Sequence, residues 1–136
     1  VIGETVNLAS RVEGLTKGYG CPLIITEFTF RALEGEIPCG VLDVVRVKGK
    51  QEPVRMYAPL VDINPSPDEL SAAREKALLM EEAFSLYLQK NWDGAIKMYS
   101  TLGQSVYTRL MTERIEYYRQ NDPGDNWDGV LGMTTK

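Results

Sequence analysis

The chain has 136 residues, of which 43% are hydrophobic and 25% are charged, and its formal net charge is -4 at neutral pH. This composition is typical of a globular protein and excludes a disordered tail. The acidic balance, without any run of Lys and Arg, argues against a nucleic-acid-binding surface. Because the sequence contains no His, it also excludes imidazole catalysis and imidazole metal ligation.

The two cysteines and the hydropathy pattern indicate a cytoplasmic setting. Cys21 and Cys39 lack the spacing and the further partners of a zinc site, so we expect free thiols in a reducing cytosol. No apolar run approaches the roughly 18 residues of a membrane span, so we predict no membrane contact by these residues. The opening Val1-Ile2-Gly3 has no initiating Met and resembles the end of a strand, which predicts a piece of a longer protein.

The first predicted helix carries a polar pair. Apolar residues recur at helical spacing between Glu4 and Lys17, which indicates a buried stripe. Asn7 and Arg11 fall off that stripe and are four residues apart, so both project from one face. An amide and a guanidinium aimed the same way suit phosphate oxygens, although such a pair is also typical of a solvated helix face.

A strand, a short helix and a hairpin follow. Leu23 to Thr26 is apolar and β-branched and predicts a buried strand, after which Thr26 caps a helix from Glu27 to about Glu34. Residues 41–47 and 54–60 predict two strands joined by the polar loop 48–53. Lys48 and Lys50 flank a glycine in that loop, an arrangement that serves either as a solvated tip or as a grip on a phosphate tail.

Beyond the hairpin the composition changes. Residues 61–67 contain two prolines and predict a linker between a first unit, 1–60, and a helical unit, 68–136. Helices are expected at about 68–90, with Asp68 or Ser71 as the cap, at 92–102 and at 105–120. Ala83, Ala95 and Tyr99 recur as in a tetratricopeptide helix pair, but a plain helical hairpin fits the pattern equally well. The final stretch predicts an irregular segment that docks back on the helices.

Three segments together carry a family resemblance. They are GETVNLASR at residues 3–11, LIITE at residues 23–27 and RVKGKQEPVRMY at residues 46–57. Over roughly the first sixty residues they resemble the second half of the catalytic domain of class III nucleotidyl cyclases. The combination of such a helix start with VKGK about forty residues later is much more restrictive than a lone glycine-rich loop. The helical tail resembles the extension that follows such domains in some bacterial membrane-tethered cyclases.

The resemblance implies an α+β fold, namely part of a ferredoxin-like αβ sandwich followed by a small three-helix region. It implies conversion of ATP, or in some members GTP, into a 3′,5′-cyclic nucleotide and pyrophosphate at composite sites in a homodimer. By resemblance, Asn7 orients the ribose, Arg11 stabilises charge on the transferring phosphorus and Lys48 holds the terminal phosphate.

The resemblance also defines what this chain lacks. The two aspartates that bind paired Mg²⁺ precede this part of the family's domain, and Asp43, Asp62 and Asp68 do not sit in a matching motif. The chain alone is therefore expected to be inactive and to contain no metal site. The longer protein is expected on the cytoplasmic side, with anchoring in the inner or plasma membrane left open. A non-catalytic binding or dimerisation module and a guanylate cyclase are the alternatives.

Overall fold

A computed structural model describes residues 18–47, 52–62 and 64–133. In chain order the elements are β1 (Ile25–Thr26), α1 (Glu27–Ala32), β2 (Cys39–Val47), β3 (Val54–Pro59), α2 (Pro67–Leu88), α3 (Trp92–Thr101), α4 (Val106–Gln120) and β4 (Leu131–Met133). This mixture of a sheet and separate helices confirms the α+β class. No helix within the described ranges is long and apolar enough to cross a membrane.

The four strands form one sheet in the order β1-β3-β2-β4. β3 runs antiparallel to both β1 and β2, as expected for a hairpin formed by β2 and β3. β4 comes from the end of the chain and pairs parallel to β2, with Val45 opposite Leu131. The last stretch was predicted to be irregular and to dock on the helices. Trp127 does pack there, with its ring centroid 5.2 Å from that of Tyr87, but the strand was not foreseen.

Side-chain caps define where the helices begin. Ser66 accepts a hydrogen bond from the Glu69 backbone N–H at 3.1 Å, and the Glu69 carboxylate accepts one from the Ser66 backbone N–H at 2.8 Å. This capping box starts α2, so the expected cap at Asp68 or Ser71 is wrong. The prediction that Thr26 caps α1 is confirmed, because its hydroxyl accepts from the Thr29 N–H at 3.4 Å.

The first predicted strand is shorter and more exposed than expected. β1 comprises only Ile25 and Thr26, and the side chain of Leu23 is 56% exposed. The prediction of a buried strand from Leu23 to Thr26 is therefore wrong in extent. Leu23 lines an open cleft together with Cys21 and Pro22, so its apolar character did not indicate burial.

Residues 61–67 connect β3 to α2, and apolar side chains from both sides of this segment share one hydrophobic core. α2 packs against β2. Gly40 leaves room for this close approach, because a Cβ at this position would overlap the Sδ atom near the end of the buried Met80 side chain. Side chains without exposed surface come from the sheet and from all three long helices, namely Val45, Met56, Ala83, Phe84, Ala95, Tyr99, Met111 and Ile115.

Candidate functional site

The three residues predicted to act on the nucleotide, Asn7, Arg11 and Lys48, all lie outside the described residues. The structure describes their neighbours in sequence. Tyr19 comes eight residues after Arg11, and Val47, the last residue of β2, immediately precedes Lys48. The structure therefore shows what holds the polypeptide next to the predicted site residues.

Asp43 is the most unusual residue of this region, because its carboxylate lies in the middle of β2 and has no exposed surface. Its Oδ2 atom accepts a hydrogen bond from the Tyr19 hydroxyl at 2.6 Å and lies 2.8 Å from Nη1 of Arg114. Its Oδ1 atom accepts from the Val44 backbone N–H at 3.0 Å. A buried carboxylate is tolerated only when it is paired and hydrogen-bonded, and here both oxygens have donors.

A β-bulge brings Asp43 into this position. Val41 pairs with Tyr57 and Asp43 pairs with Met56, so Leu42 is an extra residue without a partner on β3. The Leu42 carbonyl oxygen accepts a hydrogen bond from the Tyr107 hydroxyl at 2.6 Å. We call the set Tyr19, Leu42, Asp43, Tyr107 and Arg114 the bulge clasp.

Helix α4 supplies two members of the bulge clasp. Tyr107 and Arg114 are seven residues apart, which is about two helical turns, so they lie on the same side of the helix. The fully buried Met111 lies between them. A capping box between Ser105 and Thr108 starts the helix one residue before Val106, and this start determines which residues face β2.

The surroundings of the two tyrosines and the arginine of the bulge clasp raise the pKa of all three side chains. Desolvation, reinforced by the charge of Asp43, raises the pKa of Tyr19, and burial raises the pKa of Tyr107. Burial alone would lower the pKa of Arg114, but the Asp43 carboxylate together with Tyr87 and Tyr19 outweighs this effect, so the pKa is raised. At neutral pH the tyrosines are therefore hydrogen-bond donors and Arg114 is a cation, so the bulge clasp holds elements together and does not transfer protons.

Two further tyrosines, Tyr87 and Tyr99, contact members of the bulge clasp. Nη1 of Arg114 donates a long hydrogen bond of 3.3 Å to the Tyr87 hydroxyl, and burial raises the pKa of Tyr87 to about 12. The ring of Tyr99 packs edge-on against Tyr107 with centroids 5.9 Å apart. Its buried hydroxyl has no hydrogen-bond partner of acceptable geometry within the described part of the chain.

The described residues do not fit the Mg²⁺ site that the family resemblance implies. No group of three or more Cys, Asp or Glu side chains among residues 18–47, 52–62 and 64–133 is arranged to hold a metal ion. Asp43 is buried, but its oxygens accept from Tyr19, Arg114 and Val44. A cation at Asp43 would compete with the guanidinium, so no metal-dependent step is assigned to these residues.

A cleft of about 840 Å³ opens beside the bulge clasp, between the end of β3, the first half of α2 and the segments around Cys21 and Gly103. Leu42 and Tyr107 contribute to its wall. Burial raises the pKa of the Cys21 thiol, and the nearby Lys76 only partly opposes this effect. A reactive thiolate at Cys21 is therefore disfavoured at neutral pH.

Sequence reasoning missed Asp43 and Arg114 as partners. One signal was available, because Asp43 is the only polar residue in the run from Val41 to Val45, and a charge inside a buried strand requires a counter-charge. Nothing in the sequence identified Arg114 as that counter-charge, since it is 71 residues away.

Comparison with known proteins identifies relatives over part of the chain. An adenylate cyclase from Anabaena cylindrica is 48% identical over 60 residues, which is 42% of this chain and 12% of the relative. An adenylate cyclase described as terminal-differentiation specific, from Dictyostelium discoideum, is 44% identical over 59 residues, which is 41% of this chain and 3% of the relative. No protein-family model and no solved structure matches. The chain is thus related to adenylate cyclases over about 60 residues and spans a small fraction of either relative.

Proposed function

We propose that this chain is part of a class III adenylate cyclase that converts ATP into 3′,5′-cyclic AMP and pyrophosphate for intracellular signalling. The observation that carries the proposal is the 44–48% identity to two adenylate cyclases over about 60 residues. The restrictive combination of GETVNLASR and VKGK supports it. A guanylate cyclase is the alternative within the same reaction type.

In the proposed reaction the ribose 3′-oxygen attacks the α-phosphorus. A new P–O bond forms, the bond between the α-phosphorus and the α,β-bridging oxygen breaks, the 3′-hydroxyl proton is lost and pyrophosphate leaves with the electron pair. Asn7 orients the ribose through its amide, and Arg11 stabilises the charge that develops on the α-phosphoryl oxygens. Donors that are strongest in the transition state raise kcat more than they improve binding.

Lys48 has a different role in the proposal, because it holds the terminal phosphate. Its place as the first lysine of VKGK supports this role. An ammonium acts on phosphate as a point charge. We therefore expect Lys48 to contribute mainly to nucleotide binding.

In the proposal, the metal ions, the aspartates that bind them and the second copy of the dimer lie outside this chain. Two Mg²⁺ ions are bound by aspartates that precede these residues in the family, a second copy completes each site in a homodimer, and the isolated chain is inactive. The helical region adds a tetratricopeptide-like pair formed by α2 and α3, an assignment supported by the full burial of Ala83, Ala95 and Tyr99. The longer protein works on the cytoplasmic side, with or without a membrane anchor.

The test is the substitution Arg11→Ala in the full-length protein, assayed by cyclic AMP production over a range of ATP concentrations. We expect kcat to fall on the order of 10² or more, with the KM for ATP comparatively unchanged. Arg109→Ala is the matched control, because Arg109 is an exposed arginine on α4 and its removal should leave both constants unchanged. An unaltered kcat in Arg11→Ala would refute the assignment.

The alternative in which this unit is a non-catalytic binding or dimerisation module has its own test. Deletion of all residues after Asn64 from the full-length protein removes Arg114 and leaves Asp43 without its counter-charge. Under the proposal, cyclisation is lost while the dimer is retained. Intact cyclisation with loss of assembly would instead favour the module.

A further inference from the structure

We propose that residues 122–133 form a strap that keeps one edge of β2 closed, and that release of this strap lets the same edge pair with β2 of a second copy of the chain. Trp127 is the latch of the strap. The inference does not rest on the proposed function, because it uses only contacts within the sheet and the helical region.

The strap covers the edge of β2 that faces away from β3. There β4 pairs parallel to β2, with Val45 opposite Leu131 and Val47 opposite Met133. Without β4 this edge would present unpaired N–H and C=O groups, which are a template for pairing with another chain. Residues 44–47 read Val-Val-Arg-Val, and β-branched residues favour strand pairing. The covered edge is therefore suited to self-association.

Strand pairing and ion pairs hold the strap only weakly. β4 comprises three residues, and short elements with few buried contacts open at a low cost in free energy. Asp122 of the strap lies 3.2 Å from Nζ of Lys90. Asp128 lies 3.7 Å from Nη2 of Arg46. Ion pairs between exposed side chains contribute little, so the strap depends on its apolar contacts with the helices.

Trp127 supplies these contacts to all three long helices. Its ring centroid lies 5.2 Å from that of Tyr87 on α2, 5.5 Å from that of Trp92 at the start of α3 and 5.3 Å from that of Tyr118 on α4. Aromatic pairs at such separations attract beyond the area that they bury. Because Trp127 is only partly buried, its truncation affects the strap more than the core.

Gly129 holds the strap between Trp127 and β4. Gly129 is buried with a φ of 77°, and an added Cβ would overlap Cδ2 of Leu88 at the end of α2. The backbone conformation and the neighbouring helix therefore both disfavour a side chain at this position. Gly129→Ala thus provides a second way to release the strap, and it leaves Trp127 intact.

A second copy of the chain fits the released edge. Two identical edges pair antiparallel about a two-fold axis. A pair centred on Val45 places Arg46 of each copy opposite Val44 and not opposite another arginine, so the like-charge repulsion of directly opposed residues is avoided. Asp43, the other charged residue of β2, is buried and paired with Arg114. The charges of β2 are therefore compatible with such a pair.

The test compares Trp127→Ala and Gly129→Ala with the parent chain of 136 residues. Hydrogen exchange of the backbone N–H groups at 45–47 measures whether the edge is covered, and sedimentation velocity at increasing protein concentration measures whether copies associate. Phe30→Ala is the matched control. It also truncates a partly buried aromatic side chain, but this ring stacks at 4.0 Å on Tyr57 of β3, which β2 separates from β4.

Both strap variants should expose the edge and then associate. In dilute solution we expect the N–H groups at 45–47 to exchange about tenfold or more faster than in the parent. Over a roughly hundredfold rise in concentration, the sedimenting mass should approach about twice that of the parent. Phe30→Ala should show neither change, although its melting temperature falls.

Unchanged exchange at 45–47 in both strap variants would overturn the role of the strap. Faster exchange without a rise in mass would overturn the second copy as the partner. Equal association of Phe30→Ala would do the same, because association would then follow from lost stability alone. If circular dichroism shows that Trp127→Ala does not fold, Trp127→Leu provides the same test, because it keeps an apolar side chain and removes the ring contacts.

Discussion

Removal of Arg114 should destabilise the fold far more than removal of an exposed arginine. In Arg114→Met the Asp43 carboxylate remains fully buried and loses a cation at 2.8 Å. At an effective dielectric constant of about 20, two charges at this separation attract by about 6 kcal/mol. The desolvation of both groups opposes most of that energy, but loss of one partner from a buried pair typically costs about 3–5 kcal/mol.

The structure favours the lower end of this range. Asp43 retains the hydrogen bonds from Tyr19 and Val44 after Arg114 is lost, so its charge is only partly uncompensated. A cost of about 3 kcal/mol is still a large part of the 5–15 kcal/mol by which a typical domain is stable. With a urea dependence of about 1.5 kcal/mol per molar, the unfolding midpoint should fall by about 2 M.

Urea unfolding monitored by far-ultraviolet circular dichroism measures this change, and a double-mutant cycle assigns it to the pair. Arg114→Met and Asp43→Val should each be strongly destabilising, whereas the double variant should recover most of the loss. Arg119→Met is the matched control, because Arg119 contacts Asp93 and Glu116 at exposed positions and exposed ion pairs contribute little.

An Arg114→Met variant that unfolds at the same urea concentration as the parent would refute the argument, because a buried carboxylate without its cation must raise the free energy of the folded state. Additive effects in the cycle would also contradict it, since they would show that the two groups do not interact.

Two further predictions concern pH and packing. Burial raises the pKa of five tyrosines above the usual value of 10, namely Tyr19, Tyr57, Tyr87, Tyr99 and Tyr107. Their contribution to stability is complete below pH 10 and is lost as the pH rises toward the folded-state pKa values. The free energy of unfolding obtained from urea titrations should therefore fall above about pH 10, by up to about 1.4 kcal/mol per pH unit for each tyrosine. Tyr107→Phe should reduce this slope, and a constant free energy of unfolding up to pH 11 would contradict the assignment. Gly40→Ala should cost about 1–3 kcal/mol, because the new Cβ overlaps the buried Met80. Thermal unfolding measures this cost. Gly18→Ala is the control and should have little effect, because no atom lies within 4 Å of the added Cβ. Equal melting temperatures for the two variants would show that Met80 moves aside freely.

Most of the helices and strands could be predicted because their signals lie within short stretches of sequence. The strands expected at 41–47 and 54–60 are observed at Cys39–Val47 and Val54–Pro59, and the helices expected at 92–102 and 105–120 are observed at Trp92–Thr101 and Val106–Gln120. Alternating apolar residues, helix formers and capping side chains act over a few residues, so they are visible in the sequence. β4 was not predictable, because a three-residue strand forms only where a partner strand already offers its edge.

The candidate site also has one part that the sequence identified and one part that required the fold. Asn7, Arg11 and Lys48 were identified by residue type and spacing, and their roles stay predictions because they lie outside the described residues. The bulge clasp required the fold, since its members come from three separate segments and the Asp43–Arg114 contact joins residues 71 positions apart. No periodicity relates such residues.

The sequence by itself determined the α+β class, most element boundaries and the resemblance to nucleotidyl cyclases, because each depends on short-range patterns. Only the tertiary structure decided that the helical region and the sheet share one core and that Arg114 neutralises Asp43 at a bulge. The physical reason is that a buried charge requires a counter-charge in space, and its position along the chain is decided only when the helices pack on the sheet.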